Sequence, residues 1–75
     1  MELNEFVANI AGKLEDTDAS EIQASTIFHD LDEWDSFTNM DIIALAKAEY
    51  GKAITGPELR ACVTIEDLFN LINNK

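Results

Sequence analysis

The residues of this chain that could act chemically are few, and the first of them is a serine. Ser36 lies in Glu33-Trp34-Asp35-Ser36-Phe37, where an acidic loop gives way to a sustained helical pattern. A serine at such a place is most often a helix cap, its oxygen accepting a backbone N–H two or three residues on. If Asp35 or the backbone serves the helix end instead, the Ser36 oxygen faces outward and other molecules can reach it. His29 is the single histidine and the one available base for a serine nucleophile. Nothing marks an oxyanion site, however, and so short a chain offers little protected cleft, so a Ser–His hydrolase is not expected. Cys62, the single cysteine, lies between Ala61 and Val63 with no neighbouring base to lower its pKa, and reads as a small core or boundary residue.

Metal chemistry is equally poorly served. One Cys and one His fall short of an ordinary zinc ligand set, and a lone Cys excludes an intrachain disulfide. Asp30, Asp32 and Asp41 stand where a calcium loop has its first, third and twelfth ligands. That pattern fails at Trp34, where a ligand is needed, and at Asp35, where the sharp turn needs Gly. No Gly-rich phosphate cradle occurs.

Four amphipathic segments position these residues. Leu3, Phe6, Val7, Ile10 and Leu14 recur at helical steps, with Glu2 and Glu5 in the first turn and Lys13 in the last, where the helix dipole favours those signs. From about Glu15 to Asp35 no period is sustained. The pattern there predicts a long loop pinned to the core by Ile22, Ile27, Phe28 and Leu31, with room for one short helical turn. From Ser36 to Tyr50 the spacing predicts a helix with Met40, Ile42, Ile43, Ala46 and Tyr50 on a broad core face. Phe37, Asp41, Ala44 and Ala48 form a separate outward stripe on it; Phe37 reads either as a surface group beside the serine or as partly packed under the loop. Gly51 supplies the stop. Thr55-Gly56-Pro57-Glu58 carries a capping box and an early Pro, opening a short third helix. Thr64 and Asp67 form a shorter-armed box before a last helix with Ile65, Leu68, Phe69 and Ile72 on its apolar face, ending near Asn73.

Length and composition bound the rest. Seventy-five residues allow one domain, spanning 1–75, and one modest core, and an apolar fraction of 47% is enough to pack it. The expected fold is all-α, a small four-helix bundle. A net charge of −10 repels nucleic acid and anionic membranes and draws in basic protein surfaces. Met1-Glu2-Leu3-Asn4-Glu5 lacks the basic start of a secretion signal, and no apolar run approaches the roughly 20 residues of a membrane span. A soluble, cytoplasmic monomer that is not an enzyme is expected.

Taken in order, these features resemble the acyl carrier protein family. The resemblance rests on Asp35-Ser36-Phe37 against the family's Asp-Ser-Leu, on Phe28-x-Asp30-Leu31 before it, on Glu49-Tyr50-Gly51 closing the following helix, and on Ile54 and Thr64-Ile65 opening the last two segments. It covers nearly the whole chain. It implies that Ser36 accepts 4′-phosphopantetheine from coenzyme A through a magnesium-dependent phosphopantetheinyl transferase, and that the thiol of this arm carries acyl groups as thioesters. It further implies that Trp34, Asp35, Phe37, Asp41, Ala44 and Ala48 face partners. Those partners are acyl-activating, condensing and acyl-transfer enzymes with basic docking patches. Trp34 and Phe37 are expected to flank the arm. Met40, Ile43, Ile54, Cys62, Phe69 and Ile72 are the candidates to line an acyl cavity, an ordinary core being equally consistent with them.

Phe37 in place of Leu, Thr38 and Ala48 in place of acidic residues, and a Leu31-Asp32-Glu33-Trp34-Asp35 approach one residue longer than usual set the chain apart from housekeeping fatty-acid carriers. Their combination looks more like carriers of secondary-metabolite, polysaccharide or lipid-modification pathways. The alternatives are an aminoacyl or peptidyl carrier, whose serine more often follows Gly on a neutral surface, and an unmodified acidic helical interaction domain.

Overall fold

Phe6, Ile10 and Ala11 are buried along one side of α1 (Leu3–Ala11) in the computed structural model, which describes residues 2–75, Met1 lying outside them. The apolar pattern predicts this helix as far as Leu14, but it stops at Ala11 and Gly12 caps it. Beyond that, Lys13 and Leu14 donate to the carbonyls three residues back, of Ile10 and Ala11, at 3.0 and 3.1 Å. Such three-residue bonds tighten a helix end and use carbonyls that would otherwise be orphaned. The tightened turn still delivers Leu14 to the core, while Lys13 falls past the helix rather than in its last turn.

The long connection that follows contains two single 3₁₀ turns, Ala19–Glu21 and Phe28–Asp30, where one was expected. Asp18 caps the first by accepting the Ser20 N–H. Ile22 and Phe28 are buried and Leu31 is half-buried, as the loop's apolar residues predict. Ile27 is a correction, since its side chain is 46% exposed. Its backbone does the anchoring, through an isolated antiparallel bridge to Thr64.

α2 (Ser36–Tyr50) buries Thr38, Ile42, Leu45 and Ala46. Met40 was expected in the core and is 66% exposed. The reason is angular: at about 100° per residue, positions 40 and 42 lie about 200° apart, so both cannot face inward. Leu45, three residues after Ile42, takes the core place, with Ile43 and Tyr50 packed at its margin. Gly51 ends the helix at φ 65°, a left-handed conformation that a side chain would strain. Gly51 and Lys52 then donate back to Lys47 and Ala46 in a Schellman pattern.

α3 (Gly56–Ala61) opens on the capping box, with the Thr55 hydroxyl accepting the Glu58 N–H and the Glu58 carboxylate accepting the Thr55 N–H. α4 (Ile65–Asn73) opens on the second box, in which the short Asp67 side chain accepts both the Thr64 and the Val63 N–H at 3.1 Å. α1 packs on α4 and α2 on α3. The Phe6 ring ties the first pair to α2, standing 5.7 Å from Tyr50 and 5.6 Å edge-on to Phe69 between centroids. Among the described residues there are four α-helices and no strand, the all-α bundle that the capping signals and apolar spacing predict.

Candidate functional site

Ser36 is the first residue of α2, and it is exposed. The cap is not its own. Asp35, in extended backbone conformation, accepts the Thr38 N–H at 3.0 Å on its carboxylate, and its carbonyl accepts the Asn39 N–H. Thr38, which is buried, turns its hydroxyl back toward the Glu33 carbonyl and the Asp35 carboxylate, each at 3.3 Å. The Thr38 N–H holds the Asp35 carboxyl below the usual carboxylate range, against a smaller upward push from burial. The Ser36 hydroxyl takes part in no hydrogen bond among the described residues.

The approach to the serine is anchored residue by residue. Glu33 reaches back across the loop, accepting the Asp16 N–H on both carboxylate oxygens at 3.0 and 3.1 Å and the Thr17 hydroxyl at 2.7 Å. These bonds, the Asp16 N–H first, lower the pKa of its carboxyl. Trp34 is only 9% exposed. Its ring stacks at a tilt on Phe28, 4.6 Å between centroids, and its N–H donates to the Asn39 side chain at 2.6 Å. This corrects the expectation that Trp34 flanks an arm at the surface. A buried indole whose N–H has a partner is a core group, here the one that fixes the loop to the first turn of α2.

Downstream of the serine the outward stripe holds. Phe37 is 75% exposed, and Asp41, Ala44 and Ala48 are exposed with it. Met40 joins this face and makes it more apolar than the spacing predicts. An open groove beside Phe37 and Thr38 is lined by Glu15, Asp16, Asp32, Glu33, Asp35 and Asp41, with Lys13 as its cation. Acidic residues therefore border an apolar strip one helical turn from the serine.

The remaining candidates do not join this site. His29 places Nε2 3.0 Å from the Cys62 carbonyl and its ring against Phe28, so its one polar contact is structural. The Cys62 thiol is buried and lies 3.5 Å from the Glu58 carbonyl; burial first, then the Asp67 and Glu58 charges, pushes its pKa up, away from a reactive thiolate. Ile54, Cys62 and Ile72 belong to the core, Ile43 and Phe69 pack against it, and Met40 faces out. Ile72 also borders a shallow groove with Glu49, Tyr50, Lys52 and Asn73. Among the described residues no group of three or more His, Cys, Asp or Glu is arranged to hold a metal ion, and no helix is long and apolar enough to cross a membrane.

Glu33, Thr38 and Asn39 are the parts of the site that the sequence did not announce. Glu33 looks like one more acid in an acidic run, and its partners are set by a loop path that no spacing encodes. Thr38 carried a usable signal, being four residues before Ile42 on the buried face. Comparison of the chain with protein-family models, curated proteins and solved structures finds no match in any of the three.

Proposed function

We propose that this chain is an acyl carrier protein that receives 4′-phosphopantetheine on Ser36 and holds acyl intermediates as thioesters on the arm's terminal thiol. The observation that carries this reading is the exposed Ser36 hydroxyl at the first position of α2, freed from capping by Asp35. A serine kept only for helix stability would be expected to cap. In the transfer, the Ser36 oxygen attacks the pantetheine-bearing phosphorus of coenzyme A. A new O–P bond forms, the bridging P–O bond of the pyrophosphate breaks, and adenosine 3′,5′-bisphosphate leaves with the electron pair. The hydroxyl proton passes to a base of the phosphopantetheinyl transferase, whose magnesium ion neutralises the pyrophosphate. The carrier contributes the nucleophile and its placement; the catalyst is the transferase.

The local field works in two directions. The start of a 15-residue helix favours the new phosphodiester by about 0.3–1 kcal/mol at an exposed site. Asp35 and the acidic groove oppose it, and a basic partner surface offsets that repulsion. The net charge of −10 steers such partners toward the chain, in a manner that salt weakens. Phe37, Met40 and Ala44 supply the apolar contact and Asp41 the charge that a transferase or an acyl-handling enzyme would read. The Trp34-Asp35-Ser36 start and the longer approach to the serine favour a specialised biosynthetic pathway over housekeeping fatty-acid synthesis, and the single free Cys62 fits a reducing, cytoplasmic compartment.

The test is intact mass after incubation with coenzyme A, magnesium and a broad-specificity phosphopantetheinyl transferase. Wild type is expected to gain one phosphopantetheinyl group and Ser36→Ala none. A wild type that stays unmodified, or a Ser36→Ala chain that is modified equally, removes the carrier reading and leaves an acidic helical interaction domain. Loading the thiol with acyl-activating or amino-acid-activating enzymes then separates an acyl from an aminoacyl carrier.

A further inference from the structure

We propose that Glu33 is a positioning residue for the transfer to Ser36, acting through a clasp that ties the serine's approach to the chain just beyond α1. The proposal rests on the carrier reading above, because it concerns how fast the serine is modified. Glu33 accepts three bonds from residues 16 and 17, which lie on the far side of the long loop. Its own carbonyl faces the Thr38 hydroxyl, and the next residue, Trp34, is held by Phe28 and Asn39. Residues 33–35 are thus fixed upstream to the start of the long loop, at residues 16 and 17, and downstream to the first turn of α2. Ser36 is the next link, and its side chain has no bond of its own to set its place. Its position relative to an incoming phosphorus is therefore inherited from its neighbours.

An attacking oxygen gains from being held near its target, since a small misplacement costs rate rather than affinity. Loosening the clasp should lower the turnover of the transfer and leave docking intact. The Thr17 hydroxyl offers a way to loosen it without touching the acidic surface, which separates positioning from the other role an exposed acid can have, contact with a basic partner.

The experiment is steady-state phosphopantetheinylation of wild type, Glu33→Ala, Glu33→Gln, Thr17→Val and the Glu33→Ala/Thr17→Val pair, at a temperature well below every melting point. Thr55→Ala, which removes the α3 cap, serves as the control for lost stability elsewhere. The expected result is a fall in kcat of about three- to tenfold for Glu33→Ala with KM for the carrier unchanged. Thr17→Val should show a smaller fall in kcat, Glu33→Gln should recover part of the loss through its remaining acceptor oxygen, and the pair should be no worse than Glu33→Ala alone. Thr55→Ala should leave kcat unchanged. A salt-dependent rise in KM for both Glu33 variants with Thr17→Val silent overturns the proposal in favour of a docking charge. Unchanged kcat in all variants overturns it as well, while wild type is still modified. A wild type that takes no group at all overturns the carrier reading and this proposal with it.

Discussion

The starts of α2 and α4 are built from similar parts and finished differently. Each has an extended cap residue whose side-chain oxygen accepts the N–H three residues on, from Asp35 to Thr38 and from Thr64 to Asp67. In α4 the first two N–H groups are also taken, Ile65 donating to the Thr26 carbonyl at 3.1 Å and Glu66 to the Ala24 carbonyl at 2.9 Å. Ile65, the first residue, is completely buried. In α2 side chains hold the approach instead, Glu33 bonded to Asp16 and Thr17 and Trp34 to Asn39, and the first residue is an exposed serine. One start is sealed by backbone and belongs to the core. The other is braced by the side chains before it and left open, as the proposed modification of Ser36 requires.

That contrast can be broken at several points. Ile65→Ala should cost about 2–5 kcal/mol in denaturant unfolding, whereas Ser36→Ala at the equivalent place should stay within about 0.5 kcal/mol. Equal losses would mean that the serine is structural after all. Removal of the α4 cap by Thr64→Ala should cost about 1 kcal/mol. Acid should then act on both starts. Asp35 and Asp67 titrate below the usual carboxylate range, each chiefly because of a backbone N–H, from Thr38 and Thr64 respectively. The native state therefore binds fewer protons than the unfolded chain, so their stabilisation is complete above the unfolded pKa of about 4 and is lost as pH falls through the lower native values. Melting temperature followed from neutrality downward should fall in that window, and Asp67→Asn should flatten the curve more than Asp35→Asn because the Asp67 carboxylate accepts two backbone N–H groups and that of Asp35 only one. The smallest effect belongs to the open side: Phe37→Ala and Met40→Ala should each change stability by less than about 0.5 kcal/mol. A larger loss at either would place that side chain in the core.

Legibility of the sequence followed the range of the interaction. Both capping boxes, the Gly51 stop and the last helix's face are written within four or five residues, and all appear where the spacing predicts. The exposure of Ser36 and of the Phe37, Asp41, Ala44 and Ala48 stripe follows from the period of one helix. Met40 faces out despite its apolar side chain because the same period sets it about 200° from the buried Ile42. Trp34 and Ile27 differ for another reason: an irregular loop has no period, so side-chain direction there is set by individual contacts, of Trp34 with Phe28 and Asn39, or by pairing with a distant segment, as of Ile27 with Thr64. The Glu33 contacts were beyond reach on the same ground.

The bridge between Ile27 and Thr64 also bears on the order in which the chain assembles. Its carbonyl-to-amide bonds join residues about forty positions apart, with α2 and α3 in between, so the entropy of closing that loop falls due before the bonds can form. The Ala24 and Thr26 carbonyls of the first long loop therefore gain their partners only with α4 in place, through the Glu66 and Ile65 N–H groups. Loss of the C-terminal helix should free this stretch of the loop and leave Glu33 and Trp34 with partners of their own.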